Sequence, residues 1–290
     1  MSIGKFYILG NPRSGTSLLR LLLNSHSLIT VPPECGFFLW LKPKYINWDA
    51  SNLNSKDIRE FIEDVQASKK FEIWNLSNKI LEKIIKRNKP KNYNELSLCV
   101  YLSYAFLSDK WPRCVGDKNN YYINHLQELD DLSPDAFVVH LVRDGRDVVS
   151  SYREINNVSD TYKYKPNLPF SISDIATEWQ TNNLNIFNFY KDSDKYLTVK
   201  YEDLLQRPEV ILTQILNKLN LSFESKMLEF YKENALKQIE PKETLAWKLK
   251  TLQPLDKSNI GMYKEKLTTL EIEEFNTIAC ESLRLFGYDA

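Results

Sequence analysis

Near the start of the chain, a short apolar run, a glycine-bounded loop and an apolar helix follow one another directly. Residues 6–10 have the composition of a buried strand, and helix-like apolar spacing runs over residues 16–24. Between them lies Gly10-Asn-Pro-Arg-Ser-Gly-Thr-Ser17. This order directs successive backbone N–H groups and the positive end of a helix dipole at one point, and it therefore predicts an oxyanion-binding cradle.

The loop lacks the lysine of a nucleotide-triphosphatase loop. That motif reads G-x-x-x-x-G-K-[ST], and Thr16 occupies the lysine position here. Without the lysine, a clamp for β- and γ-phosphates loses its main point charge, which disfavours ATP or GTP hydrolysis. Arg13, inside the loop, offers a planar fork of hydrogen-bond donors to an anionic group that carries less charge than a pair of β- and γ-phosphates. The alternative is a tight strand-to-helix turn with a structural arginine.

Further short apolar runs alternate with stretches of helical period, which predicts an α/β fold with a parallel sheet flanked by helices. The other expected strands cover residues 28–32, 114–116, 137–142 and 196–200, of which 114–116 is the weakest and is also compatible with an extended loop. The other expected helices cover residues 145–154, 172–190, 208–219 and 268–286. Residues 43–111 interrupt the alternation as a Lys- and Asn-rich, mainly helical insertion. It either caps the substrate site or covers a sheet edge.

A second charged segment follows the most apolar expected strand, 137–142. It reads Arg143-Asp-Gly-Arg-Asp147, and Ser151 lies eight residues beyond Arg143, about two helical turns into the next helix. Ligands of parallel α/β sheets bind outside the carboxyl ends of the strands. Arg143 and Ser151 are therefore suited to hold a second, separate phosphate. The alternative is a surface ion-pair network over residues 143–147.

Composition excludes several function classes. Lys plus Arg and Asp plus Glu both total 38, so no global field draws the chain onto nucleic acid or an anionic membrane. The cysteines show neither CxxC pairs nor zinc-ligand spacing, so we expect reduced thiols and no metal. They are Cys35, Cys99, Cys114 and Cys280. Since neither a leader nor an apolar run of about 18 residues is recognisable, we expect a cytoplasmic protein without a membrane span.

Taken together, these segments resemble the sulfotransferase family, especially its tyrosylprotein-type and heparan-type branches. Asn11-Pro-Arg-Ser-Gly-Thr-Ser17 resembles the family's 5′-phosphosulfate loop, and Arg143 through Ser151 resembles its 3′-phosphate motif. Tyr201-Glu-Asp-Leu-Leu205 with Arg207-Pro208, and Ser258-Asn-Ile-Gly-Met-Tyr-Lys264, resemble two later segments. The resemblance leaves out residues 43–111 and reaches about the final helix.

The resemblance implies one three-layer α/β/α domain of P-loop type over residues 1–290, with a central parallel sheet. It implies transfer of a sulfonate group from 3′-phosphoadenosine-5′-phosphosulfate (PAPS) to an acceptor hydroxyl or amine, with 3′-phosphoadenosine-5′-phosphate (PAP) as product. The implied contacts to the 5′-phosphate and sulfonate are Arg13, Ser14, Gly15, Thr16 and Ser17. The implied contacts to the 3′-phosphate side are Arg143, Ser151, Tyr201 and Lys264, with Arg153 or no residue as a further basic contact.

In-line displacement needs a group that removes the acceptor proton. Glu34 follows the second expected strand, and its position resembles that of the catalytic glutamate in these branches. An apolar setting formed by Phe37, Phe38 and Trp40 is expected to raise its proton affinity. The alternative is that Glu34 caps the helix that starts here.

Lys118 resembles the family lysine that supports the departing phosphate, and it would share that work with Arg13. The alternative is an ordinary surface lysine. Cytosolic small-molecule sulfotransferases use a histidine as base, but His26, His125 and His140 are all expected to be structural. We expect His26, as a cation, to satisfy carbonyl groups at the end of the phosphate-loop helix.

Two other functions remain open: a P-loop kinase or other phosphotransferase, and a non-catalytic nucleotide-binding protein of the same fold. The acceptor is open among tyrosine peptides, carbohydrates, lipids and small natural products. Several aromatic residues either line an apolar or sugar-stacking pocket or belong to the core. They are Trp40, Trp48, Trp74, Trp111, Tyr162 and Tyr164.

Overall fold

The computed structural model describes residues 3–289 of the 290-residue chain. At its centre lies a sheet of five strands: β1 Gly4–Leu9, β2 Ile29–Thr30, β3 Cys114–Lys118, β4 Phe137–Val142 and β5 Tyr196–Lys200. The strand order is β2-β3-β1-β4-β5, and all neighbouring pairs are parallel. The predicted parallel sheet is confirmed, and β3 is a true strand that extends to Lys118.

The α-helices connect and cover these strands. They are α1 Thr16–Asn24, α2 Phe37–Trp40, α3 Lys42–Tyr45, α4 Ser55–Ala67, α5 Asn78–Asn88, α6 Tyr93–Leu107, α7 Leu126–Leu132, α8 Gly145–Asn156, α9 Ile172–Tyr190, α10 Tyr201–Gln206, α11 Pro208–Lys218, α12 Phe230–Lys237, α13 Lys242–Leu245, α14 Tyr263–Lys266 and α15 Thr269–Leu285. Within residues 3–289, no helix has both the length and the apolar composition needed to cross a bilayer. The four cysteines are free thiols.

Alternation along the central strands distributes their side chains between two faces of the sheet. Tyr7 and Leu9 of β1 pack into a core formed with α4, α5 and α6. Phe6 and Ile8 of the same strand pack with α1, α11 and α12 on the opposite face. A third core joins α8, α9 and α15 around Trp179. The sheet is therefore enclosed between helical layers.

Residues 43–111 are mainly helical, as predicted. The buried side chains of α4, α5 and α6 are continuous with the Tyr7 and Leu9 face of the sheet, so this segment covers the sheet. It also reaches the cavity described below through Lys70, which has a left-handed backbone conformation with φ +72°. The insertion therefore both covers the sheet and supplies a cation to the cavity wall.

Candidate active site

The loop from β1 to α1 is packed so closely that glycine is required at two positions. At Gly10, an added Cβ would lie 2.4 Å from the carbonyl oxygen of Leu141. At Gly15, φ is +92° and an added Cβ would lie 2.4 Å from the ring of Tyr201. Gly15 is also the N-cap of α1 and offers no capping side chain. The amide groups at the start of α1 are thus available to an anion.

A cavity of about 400 Å³ lies where the five strands end. It receives residues that follow each strand, which is the usual ligand position in a parallel α/β sheet. The predicted site residues in its wall are Arg13, Gly15, Thr16, Ser17, Glu34, Lys118, Arg143, Ser151 and Tyr201. Ser14 is fully buried and lies outside this wall, and the exposed Lys264 also lies outside it.

Arg143 is held in place by several contacts and still has an unused donor. Its Nη1 and Nη2 donate to the backbone oxygens of Arg13, at 3.3 Å, and Asn259, at 3.0 Å. The guanidinium lies 4.8 Å from the ring centroid of Tyr201. Within the described residues, the buried Arg143 Nε has no hydrogen-bond partner. A buried unpaired donor is costly, and a phosphate oxygen would satisfy it.

A direct contact joins the two predicted phosphate-binding elements. Arg13 Nε donates to Ser151 Oγ at 3.0 Å, so the loop after β1 and helix α8 meet across the cavity. The hydroxyl of Ser150, next to Ser151, lines the same cavity and has no partner within residues 3–289. The site therefore presents two adjoining groups of donors, one at each element.

The charged run after β4 is a buried scaffold, not the surface ion-pair network considered as an alternative. Arg146 donates to both carboxylate oxygens of Asp144, at 2.9 and 2.8 Å, and both side chains are at least nine-tenths buried. Asp147 accepts the backbone N–H groups of Gly261 and Tyr263 at 2.8 and 2.9 Å. Asp147 thereby fixes residues 261–263 beside Arg143.

Glu34 lies in an ionic setting, and the expectation of a raised proton affinity is wrong. Its Oε2 lies 3.3 Å from Lys70 Nζ and 3.7 Å from Lys118 Nζ, and its Oε1 accepts the Asn120 N–H at 3.3 Å. Burial alone would raise the pKa of Glu34, but the charges of Lys118 and Lys70 outweigh it and hold this pKa well below its ordinary range. Nor does Glu34 cap α2, whose N-terminus has no capping side chain.

Lys118 is not a surface lysine. It is 5% exposed and ends β3, with its ammonium beside Glu34. Burial lowers its pKa to about 8, although the Glu34 charge opposes that shift, and Lys248 and Lys70 add to the lowering. Lys118 is therefore a cation that an anionic ligand would stabilise.

Comparison with known proteins identifies the family. The model of the sulfotransferase family matches residues 6–225, which include both phosphate-binding elements. The chain belongs to the sulfotransferase family. This confirms the family predicted from the sequence and favours sulfonate transfer from PAPS over the kinase and non-catalytic alternatives.

Individual relatives are distant. Protein-tyrosine sulfotransferase 1 of Danio rerio is 27% identical over 231 residues, and a putative protein-tyrosine sulfotransferase of Caenorhabditis briggsae is 25% identical over 234 residues. These alignments cover 77% and 78% of this chain, but 54% and 68% of the relatives. An uncharacterized protein of Aquifex aeolicus, 23% identical, is covered over 26% of its length. This chain therefore spans between about a quarter and about two thirds of the length of these relatives.

A solved structure supports the fold independently. The sulfotransferase domain of the Synechococcus PCC 7002 olefin synthase superposes with a TM-score of 0.65 at 20% sequence identity. The superposition covers 100% of this chain and 96% of that domain. The three-layer fold with a central parallel sheet is therefore shared over the whole length compared.

The three histidines lie outside the cavity wall. His140 Nδ1 lies 2.7 Å from Tyr196 Oη, and its Nε2 lies 3.0 Å from Asn183 Oδ1. The predicted role of His26 is wrong, because its ring contacts the Ser222 backbone oxygen and the Leu28 N–H, at 2.9 and 3.0 Å. The Asn24 carbonyl, at the end of α1, accepts from Lys110 instead. That ammonium contacts the backbone oxygens of Asn24, His26 and Ile29.

Sequence reasoning missed a segment after α12 that closes part of the cavity. Trp247, Lys248 and Lys250 line it, and the backbone oxygen of Trp247 accepts from Arg13 Nη2 at 3.0 Å. No periodic pattern marks this stretch, although its cluster of Trp and Lys was a usable signal. Lys266 lines the cavity two residues beyond Lys264, whereas Arg153 is paired with Glu271 and lies outside the wall.

The aromatic candidates separate into different environments. Tyr164 lines the cavity, while Trp48 and Trp74 are buried in the core. Trp111 is 67% exposed. Tyr164 packs with Ile155 and Trp247, which gives the cavity an apolar side.

Proposed function

We propose that the cavity binds PAPS and transfers its sulfonate group to an acceptor hydroxyl or amine. The 5′-phosphosulfate contacts the loop after β1, through Arg13 and the amides of Thr16 and Ser17. The 3′-phosphate contacts Arg143 and Ser151. The observation that carries this proposal is the pair of adjoining donor groups, joined by the Arg13–Ser151 contact, with the Arg143 Nε left unpaired.

The charges around Glu34 support its role as the base. In the free protein, Lys70 and Lys118 both lie beside its carboxylate, which keeps it deprotonated. The bridging oxygen of PAPS gains negative charge as its bond to sulfur breaks, and Lys118 is the cation placed to stabilise that charge. When Lys118 turns to the donor, Glu34 loses one of its two cationic partners and becomes a better proton acceptor.

The bonds that form and break in the transfer balance without another reagent. The acceptor oxygen or nitrogen forms a bond to sulfur on the side opposite the leaving group, and the bond from sulfur to the bridging oxygen breaks. The acceptor proton passes to a Glu34 carboxylate oxygen. PAP leaves with the electron pair of the broken bond.

The acceptor is defined by its reacting group only. Two of the relatives are named as protein-tyrosine sulfotransferases, so a tyrosine hydroxyl is one acceptor to test. Carbohydrate, lipid and small-molecule hydroxyls are the others. The single-domain organisation of residues 1–290 and a cytoplasmic location stay predictions.

The test is transfer of sulfur label from PAPS to a panel containing a tyrosine peptide, a simple phenol, an oligosaccharide and an aliphatic alcohol. With an accepted substrate, Glu34→Gln should bind PAP like the original protein and lose turnover by about 10²–10⁴-fold. Glu128→Gln, at an exposed glutamate on α7, is the matched control. Near-normal turnover in Glu34→Gln would exclude Glu34 as the base.

A further inference from the structure

A buried asparagine anchors both ends of the segment that sequence reasoning missed. We call residues 240–251 the strap. Asn234 of α12 is fully buried; its Oδ1 accepts the Glu240 N–H at 2.6 Å, and its Nδ2 donates to the Thr251 backbone oxygen at 3.0 Å. Both ends of the strap, which includes α13, are therefore fixed, and its position against the cavity is set by the fold.

A buried ion network lies behind the strap. Glu240 and Arg20 are 1% and 2% exposed, and Arg20 Nη2 donates to Glu240 Oε2 at 2.6 Å. Arg20 lies one turn after Thr16 on α1, and its Nη1 donates to the Val31 backbone oxygen at 3.1 Å. The network therefore ties the strap to the phosphate-loop helix and to the segment that leads to Glu34.

Lys248 is the third member of this network and the one that reaches the cavity. Its ammonium contacts Glu240 Oε1, which also accepts from Thr244 Oγ1 at 2.7 Å. Burial alone would raise the pKa of Glu240, but Lys248 and Arg20 lower it to about 2, so the carboxylate is ionised. An ammonium has three donors, and Glu240 takes one of them.

The backbone places Lys248 next to Arg13. The carbonyl that Arg13 Nη2 contacts at 3.0 Å belongs to Trp247, whose peptide bond leads into Lys248. Standard peptide dimensions then put the Lys248 Cα within about 6 Å of the Arg13 guanidinium. Lys248 lines the same cavity as Lys118 and Glu34, and its charge contributes to the lowered pKa of both groups.

We propose that Lys248 binds the sulfonate group of the donor and that Glu240 positions it. The inference rests on the proposed function, because it needs PAPS in the cavity. A sulfonate that is being transferred keeps its charge on three outer oxygens, and Arg13 with the loop amides meets it from one side only. Lys248 supplies a charged donor from the strap. Since Glu240 holds its ammonium, Lys248 does not have to pair with the base Glu34.

The comparison of PAPS with PAP isolates this contact, because PAP lacks the sulfonate. Affinities for both nucleotides are measured by calorimetry without acceptor, for the original protein, Lys248→Met and Lys242→Met. Lys242 is the matched control because it lies on the same strap but is exposed and outside the cavity wall. We expect Lys248→Met to weaken PAPS binding about tenfold or more and PAP binding less than about twofold. Lys242→Met should change neither affinity.

Lys248→Arg keeps the charge and should retain most of the preference for PAPS, and thermal unfolding of each variant shows whether it is folded. Equal losses of affinity for PAPS and PAP in a folded Lys248→Met, or no loss for either, would overturn the assignment of Lys248. The proposed function would not be affected by that outcome. An original protein that binds neither nucleotide would overturn the proposed function itself.

Discussion

Replacing Glu240 with Gln tests the ion network behind the strap. The change removes a charge with little change of shape and leaves Arg20, 2% exposed, without its carboxylate partner. Breaking a buried ion pair by removing one partner costs about 3–5 kcal/mol. Because Gln still offers an acceptor to Thr244, we expect the lower end, about 3 kcal/mol of the free energy of unfolding.

Equilibrium unfolding in urea measures this loss, with Glu243→Gln as the matched control. Glu243 is exposed on the same strap, so its change should cost less than about 0.5 kcal/mol. In thermal unfolding, about 3 kcal/mol corresponds to a Tm lower by roughly 6–12 °C. A loss below about 1 kcal/mol for Glu240→Gln would show that the buried Arg20–Glu240 pair does not stabilise the fold in this way.

The pH dependence provides an independent check on the same carboxylate. The pKa of Glu240 is about 2 in the folded chain, against an ordinary value of 4.5. A lowered folded-state pKa contributes stability that is fully present above the unfolded value and is lost as pH falls toward the folded value. The difference between the original protein and Glu240→Gln should therefore shrink as pH falls from 4.5 toward 2. A difference that does not change over this range would contradict the assignment.

Three further predictions concern the donor site. Arg143→Gln should weaken PAP binding about tenfold or more and leave AMP binding nearly unchanged, because AMP lacks the 3′-phosphate. Arg207→Gln, at an exposed arginine, is the control and should bind both nucleotides like the original protein. Equal losses for PAP and AMP in Arg143→Gln would contradict the prediction. PAP affinity should fall as pH rises through about 8, because buried Lys118 loses its proton there. Lys118→Arg should flatten this pH dependence, since arginine stays charged. An unchanged pH dependence in Lys118→Arg would contradict the prediction. Gly15→Ala should lower the free energy of unfolding by about 1–3 kcal/mol more than Gly261→Ala. Both glycines have positive φ, but an added Cβ would meet the Tyr201 ring at Gly15 and open space at Gly261. Urea unfolding measures that difference, and equal losses would contradict the packing argument.

The local sequence pattern was sufficient to predict the main strands and helices of the fold. The predicted bounds of β4 and α9 match the structure because one is a continuous apolar run and the other has a clear helical period. The weakest expected strand, at residues 114–116, was harder to predict because it is short, contains Gly116 and is followed by Asp117. Its burial comes from its place between β1 and β2, which short-range pattern does not contain.

The electrostatics of the site could not be predicted in the same way. The apolar neighbours of Glu34 in sequence suggested a raised pKa, but its nearest cation, Lys70, comes from the insertion and reaches the site through a left-handed backbone position. The contact between Arg20 and Glu240 joins residues 220 positions apart. Both depend on packing between segments with no pattern linking them.

The most direct test of the donor assignment is calorimetric binding of PAP beside AMP, ADP and ATP with magnesium. Two phosphate-binding elements in one cavity predict that PAP binds best and that AMP, without the 3′-phosphate, binds at least about tenfold more weakly. Preference for ATP with magnesium, or equal binding of PAP and AMP, would contradict the account.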